Sequence, residues 1–403
     1  MSLRSVVTRI TTSAILGYLA GCGGGTDVSG DPPSAAYAYV TSASDSEAQP
    51  GAVYQYAVGT DGTLTSLSTA SITAGMIPTS IVSDPAGRYV YVVNEGDATI
   101  SQYVVGTGGG LVPLSPATVS MAEPFPAIAG CAASIDPSGR FLYVVITPRD
   151  PPGPVASIAQ YSIGSGGTLT PLTPAYVNVP ASAVGPLAIE PSGHYAYLAG
   201  ATTALGGWIS QFSLAEAGTL SALTPAGVAA AAPAVGIAIA LGGKTAYVLS
   251  SCIDSACDGQ LARYALGADG TLTVTGSTVP TGGHVIPIGM VFDTSGSSAY
   301  LLTNFMGVDT NMGAVEGYSI NSAGDLVPDT PASVGVASGA VAETTYGPNL
   351  YALSSNAIGS AVGHQPGGHI DHYAIGTGGQ LSALGTVTVA AGAPTGIAVV
   401  TTH

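Results

Sequence analysis

The chain has 403 residues and a formal charge of −16, from 7 Lys and Arg against 23 Asp and Glu. Hydrophobic residues make up 46% and charged ones only 7%, so a disordered polyanion is excluded: a real core can be buried. Its 57 Gly and 28 Pro argue against a helical bundle, and so few basic residues cannot neutralise a run of phosphates, which argues against nucleic-acid binding.

In chain order the first element is a leader. Arg4 and Arg9 precede a mildly apolar stretch, Ile10 to Ala20, too short and too rich in Ser and Thr to span a bilayer. Leu19-Ala20-Gly21-Cys22 closes it and resembles the lipobox of bacterial lipoproteins. The resemblance implies that residues 1–21 are a signal peptide and that Cys22 carries lipid; an ordinary secretory signal would also leave the fold. Residues 22–34 then read as a flexible tether. The address expected is the bacterial cell envelope, periplasmic or surface-exposed, with membrane contact through the lipid anchor only. Disulfides persist in such a compartment, and Cys252 and Cys257 could close the single loop that holds them, with Cys131 left as a buried free thiol.

From residue 35 onward one pattern recurs. An alternating apolar strand ends in an aromatic, and a Gly-rich turn and a Leu follow it, as in Tyr56-Ala-Val-Gly-Thr-Asp-Gly62-Thr-Leu64. The aromatics are Tyr56, Tyr103, Tyr161, Phe212, Tyr264, Tyr318 and Tyr373, spaced 47 to 58 residues apart, a period that signals a repeat architecture. A second strand precedes each, such as Tyr89-Val90-Tyr91-Val92-Val93. Before most of those comes an apolar strand and a tight turn: Asp84-Pro85-Ala86-Gly87, Asp136-Pro137-Ser138-Gly139, Glu190-Pro191-Ser192-Gly193 or Asp293-Thr294-Ser295-Gly296. A fourth strand follows the Leu, as in Leu111 to Val119.

Such a unit cannot bury a face alone, and seven arranged radially make a β-propeller. The first unit begins at Ala36 with no strand before its second one, and the chain ends on an unpartnered strand, Pro394 to Val400. The expected fold is therefore all-β: residues 35–403 form a seven-bladed propeller of four-stranded antiparallel blades, closed by the C-terminal strand completing the first blade. A β-sandwich or β-helix does not explain a missing first strand supplied by the far end of the chain.

The segments Asp84 to Asn94 and Asp136 to Val144, with the Tyr-x-Val-Gly-x-x-Gly-x-Leu turns, resemble the lactonase-type seven-bladed propellers with YVTN-like repeats, 6-phosphogluconolactonase among them. The resemblance covers nearly all of residues 35–403 and concerns scaffold. It implies either lactone opening or a secreted or surface role without a reaction. Lactonase members are expected to carry a histidine-bearing segment into the inner strand of an early blade, and an Asp-Leu-Gly-like stretch after the second strand. Here those stretches are Pro126 to Ala133 and Val145 to Arg149, which have neither. No catalytic residue is carried over.

The topology sorts the connections onto two faces. Short stereotyped turns populate one; long variable loops populate the other, the usual ligand face. The loop face carries Asp45, Glu47, Glu95, Asp97, Glu123, Asp150, Asp254, Asp258 and Asp309 against one cation, Arg149, while Arg88, Arg140 and Lys244 fall in the opposite turns. A phosphorylated substrate is thereby disfavoured. If a lactone is opened here, His284 or Glu123 is the candidate general base and Arg149 the candidate for stabilising the oxyanion. Phe125, Trp208 and Phe305 could stack on a sugar or pack between blades. His364, His369 and Asp371 are candidate ligands for a metal ion, although their spacing matches no named motif; His372 beside them takes the place of Gln55, Gln102, Gln160 and Gln211. No cofactor is otherwise expected. The leading expectation is a monomeric, lipid-anchored binding or interaction module, whose partner is a protein or a neutral small molecule or glycan. The alternative is a lactonase-like hydrolase that opens a neutral lactone.

Overall fold

Alternation of β-branched and aromatic residues with small or polar ones does dictate strands, and they assemble into seven antiparallel sheets arranged as a propeller. The computed structural model of the protein describes residues 35–44, 49–121, 128–148, 156–179, 182–183, 185–202, 206–251, 259–276, 278–281, 285–305, 313–356, 367–389 and 391–402. Blade 2 is typical: an inner strand Pro78–Ser83, a second Tyr89–Asn94, a third Thr99–Val105 and an outer strand Leu111–Ser120. Blades 3, 6 and 7 repeat it over Ile128–Val179, Val285–Gly335 and Gly339–Val389.

Blade 1 closes the ring as expected. Its second, third and outer strands are Ala35–Ala43, Pro50–Val58 and Leu64–Met76, and its inner strand is the C-terminal Ala393–Thr402. Tyr39 pairs with Ala398 and Val40 with Ile397, which buries Ile397 completely. Two blades depart from regularity. The inner strand of blade 4 is split into Ser182–Ala183 and Ala188–Ile189, because Gly185 turns with φ +82° and Pro186 has no N–H to give a ladder. The outer strand of blade 5 is split into Leu272–Val274 and Val279–Pro280 around Gly276, φ +76°.

Two side-chain girdles tie each blade to the next. A buried tyrosine of each second strand donates to a glycine carbonyl in the third-to-outer turn of the following blade. The pairs are Tyr39–Gly109, Tyr91–Gly167, Tyr143–Gly218, Tyr197–Gly270, Tyr247–Gly324, Tyr300–Gly379 and, across the closure, Tyr351–Gly62, all at 2.6–2.8 Å. Those turns approach closely enough to require glycine: a Cβ on Gly167 (φ +82°) would lie 2.3 Å from the Tyr89 ring.

The second girdle uses the residue paired with each tyrosine on the third strand. Gln55, Gln102, Gln160 and Gln211 accept from the backbone N–H of Leu111, Leu169, Leu220 and Leu272 of the next blade at 2.6–2.7 Å. The same amides donate to the carbonyls of Thr69, Pro116, Pro174 and Pro225 in their own outer strands. Four seams are clamped in this way, and the other three are not. Arg263, Gly317 and His372 stand at the equivalent position in blades 5, 6 and 7.

Candidate functional site

Antiparallel order places the second-to-third and outer-to-inner connections on one face and the short turns on the other. The turn face is built by local acceptors. Asp84 Oδ1 accepts from the N–H of Arg88 at 2.6 Å and of Tyr89 at 2.8 Å, and Asp136, Glu190 and Asp293 hold the corresponding turns. These acids therefore serve the scaffold. A cavity of about 90 Å³ lies on this side, lined by Val82, Ala133, Leu187, Ile237 and Val399 together with Asp84 and Asp136.

Most of the long loops on the other face lie outside the described residues, and Glu123, Arg149, His284, His364, Cys252 and Cys257 with them, as does Cys22. Of the acids there, Glu95 and Asp97 are described. Asp97 is engaged locally, accepting from Met76 N–H at 3.2 Å and the Thr99 hydroxyl at 2.8 Å. Cys131 is a buried free thiol as expected, its pKa pushed up by burial and then by Glu95. Phe125 lies outside the described residues, and Trp208 and Phe305 sit on blades 4 and 6. The Trp208 ring lies over Gly227, whereas Phe305 is exposed.

The histidine cluster resolves into separate environments. His369, Asp371 and His372 lie on the third strand of blade 7, Gly368–Ile375. His369 and Asp371 share one side of it. Asp371 is buried, with Oδ2 accepting from Ala337 N–H at 2.8 Å and Oδ1 from the Thr386 hydroxyl at 2.7 Å. His369 has a buried Nδ1 without a partner. His372 faces the opposite side, stacked on Tyr351 at 4.9 Å, with Nε2 2.8 Å from Asn349 Oδ1. Burial lowers its pKa, and Asp61 partly opposes that. Among the described residues no three His, Cys, Asp or Glu side chains come together as a metal site.

Sequence reasoning missed Glu343. Each inner strand other than that of blade 4 carries a one-residue bulge, at Thr79, Ala129, Val235, Ile288, Val341 and Thr395. Two residues beyond it stand Ile81, Cys131, Ile237, Met290, Glu343 and Ile397. Glu343 is fully buried: Oε1 accepts from Leu302 N–H of blade 6 at 3.3 Å, and Oε2 has no partner. Burial raises its pKa well above the ordinary carboxyl value. The available signal was an acid inside an apolar run, Gly339-Ala-Val-Ala-Glu343.

The described cations are far from the loop face. Arg88, Arg140 and Lys244 occupy inner-to-second turns. Arg263 lies in the seam between blades 5 and 6, 3.2 Å from Asp325 and donating to the Ala323 carbonyl.

A family model described as "Lactonase, 7-bladed beta-propeller" matches residues 50–194, from the third strand of blade 1 to the first turn of blade 4. No curated protein matches the chain. Among solved structures, a presumed 6-phosphogluconolactonase from Bacteroides fragilis superposes with a TM-score of 0.68 at 17% identity, covering 92% of this chain and 100% of its own. The periplasmic gluconolactonase PpgL of Pseudomonas aeruginosa gives 0.67 at 17% identity, over 91% and 99%. A functionally unknown protein from Desulfotomaculum acetoxidans gives 0.64 at 17%, over 91% and 99%. At these identities the likeness is one of fold.

Proposed function

We propose that the protein is a lipid-anchored propeller of the bacterial cell envelope whose acidic loop face binds a partner protein or a neutral glycan or small molecule. The observation that carries this reading is the placement of positive charge. Every described Lys and Arg sits in the opposite turns or in a seam, while Glu95 and Asp97 mark the loop face. An anionic or phosphorylated ligand would meet no cationic donor among the described residues there, and in the sequence only Arg149 against nine acids, whereas an uncharged or basic one is not repelled. Binding of the mature chain to a panel of neutral glycans and basic proteins tests it. Saturable binding that weakens with salt for basic partners is expected, and preferential capture of phosphorylated sugars overturns it. Fractionation of Cys22→Ser tests the anchor: the variant is expected in the soluble fraction.

A second reading is favoured by the matched family model and by the names of the two lactonase neighbours. The protein then opens a neutral lactone, with His284 or Glu123 as general base and Arg149 stabilising the oxyanion. Hydrolysis across a lactone panel, followed by pH-stat, decides between the two. Turnover lost in Arg149→Ala or His284→Ala supports the hydrolase, and inactivity throughout supports the binding module.

A further inference from the structure

The seam between blades 6 and 7 differs in kind from the other junctions. At its outer radius the glutamine clamp is replaced by Gly317. A cavity of about 10 Å³ lies there, lined by Gly317, Asp329, Pro331 and Leu381, the last two being the counterparts of the groups that glutamine bridges elsewhere. Asp329 Oδ2 points to this position, 2.7 Å from where a Gly317 Cβ would sit, and has no hydrogen-bond partner. At the inner radius Glu343 replaces the apolar residue of the other blades and presses a carboxyl against blade 6.

Four of the eight buried side-chain polar atoms that lack a partner among the described residues belong to this junction. They are Asp329 Oδ2, Ser338 Oγ, Glu343 Oε2 and His369 Nδ1. Seven seams sharing such atoms evenly would hold about one each, so the polarity is concentrated at this one of the three unclamped seams.

We propose that the seam between blades 6 and 7 is a proton-operated latch, shut while Glu343 carries its proton and loosened when that carboxyl ionises. A neutral carboxylic acid can sit between packed sheets with one oxygen on Leu302 N–H. A carboxylate there must be compensated or exposed to water. Among the described residues no ion pair and no hydrogen bond other than that from Leu302 N–H compensates it. From blade 7, Asp371 lies in the same register row, through Ala352, and His369 and Tyr373 share that side. From blade 6 comes Tyr300, whose hydroxyl is committed to Gly379, while Asp329 sits farther out, beside Gly317. Its inner strand, Val285–Phe292, has no titratable side chain. No Lys or Arg faces the group among the described residues.

Burial raises the pKa values of Glu343 and Asp329, in the same direction. The native state thus holds protons that an opened seam releases as pH rises above the ordinary carboxyl value, and opening is favoured with increasing pH until the Glu343 pKa is passed. The blades are quasi-independent units, so one junction can open while the remainder stays folded.

Hydrogen exchange of the full chain between pH 5 and 9, corrected for intrinsic rates, tests the latch. Peptides over residues 298–305 and 339–346 report on this seam, and those over 89–94 and 141–146 report on the clamped seam between blades 2 and 3. The opening constant at the first pair is expected to rise about tenfold per pH unit between the ordinary carboxyl value and the Glu343 pKa, and to stay flat at the second. Glu343→Gln, neutral at every pH, and Glu343→Met, the residue at the same place in blade 6, are expected to abolish the slope. Equal behaviour of the two seams in the wild type, or an unchanged slope in Glu343→Gln, overturns the proposal. Should neither variant fold, the wild-type comparison of the two seams decides alone.

Discussion

Replacing Gln102 by Met removes one clamp while conserving length and apolar volume. In the native structure Gln102 is fully buried, its amide donating to Pro116 O at 3.0 Å and its oxygen accepting from Leu169 N–H at 2.7 Å. Methionine satisfies neither, so a backbone donor in blade 3 and a backbone acceptor in blade 2 are left buried and unpaired. Each such group costs ~1–3 kcal/mol, which sets the loss at about 2–6 kcal/mol. That is a large share of the ~5–15 kcal/mol typical of a folded domain. Gln102→Glu is expected to be worse, because it keeps the acceptor, loses the donor and buries a charge. Urea unfolding reads the loss through the single tryptophan, Trp208 in blade 4, beside far-ultraviolet circular dichroism as a global probe. A change below ~0.5 kcal/mol, the scale of an ordinary surface substitution, would refute the idea that the glutamines hold the ring together.

Further outcomes follow from the same geometry. Tyr351→Phe deletes the hydroxyl that bonds Gly62 across the closure and is expected to cost ~1 kcal/mol in urea unfolding, with faster unfolding of blades 7 and 1. Ile397→Ala hollows the closing strand where it is fully buried and should cost ~2–5 kcal/mol, measured the same way. Gly167→Ala places a Cβ 2.3 Å from the Tyr89 ring at φ +82° and should lower the melting temperature more than Gly166→Ala, where no atom lies within 4 Å. His372 has a lowered pKa in the folded state, so the unfolded chain binds more protons as pH drops through the ordinary histidine range, and stability is lost in that direction. Glutamine at this position restores the residue of blades 1 to 4. Melting temperatures of His372→Gln at pH 5.5 and 7.5 are expected to differ less than those of the parent.

The ring was legible because its signals are local. An Asp-Pro-x-Gly turn places its acceptor, its fixed φ and its left-handed glycine within four residues, and each observed turn uses them that way. The closure was legible from a missing strand at one end and a surplus strand at the other. His372 was recognised as a scaffold position, since it occupies the place that glutamine holds in four blades. Glu343 and Gly317 were not recognised. An acid in a β segment reads as solvent-facing, and glycine in a strand reads as neutral spacing. Only the inner-strand bulge turns Glu343 toward blade 6, and only the third-strand register shows that Gly317 stands where a clamp should be.

Period, turn chemistry and alternation determined strand type, blade number and the sorting of connections onto two faces, because each is a relation between residues a few positions apart. Tertiary structure decided which polar side chains are buried, which seams are clamped and where a carboxyl lies without a partner. Those properties depend on which residue of one blade comes to face which residue of the next. Tyr351 and Gly62 meet across 289 positions of sequence. Hydrogen bonding and desolvation act over a few ångströms of space, and that distance is set by ring closure and not by position along the chain.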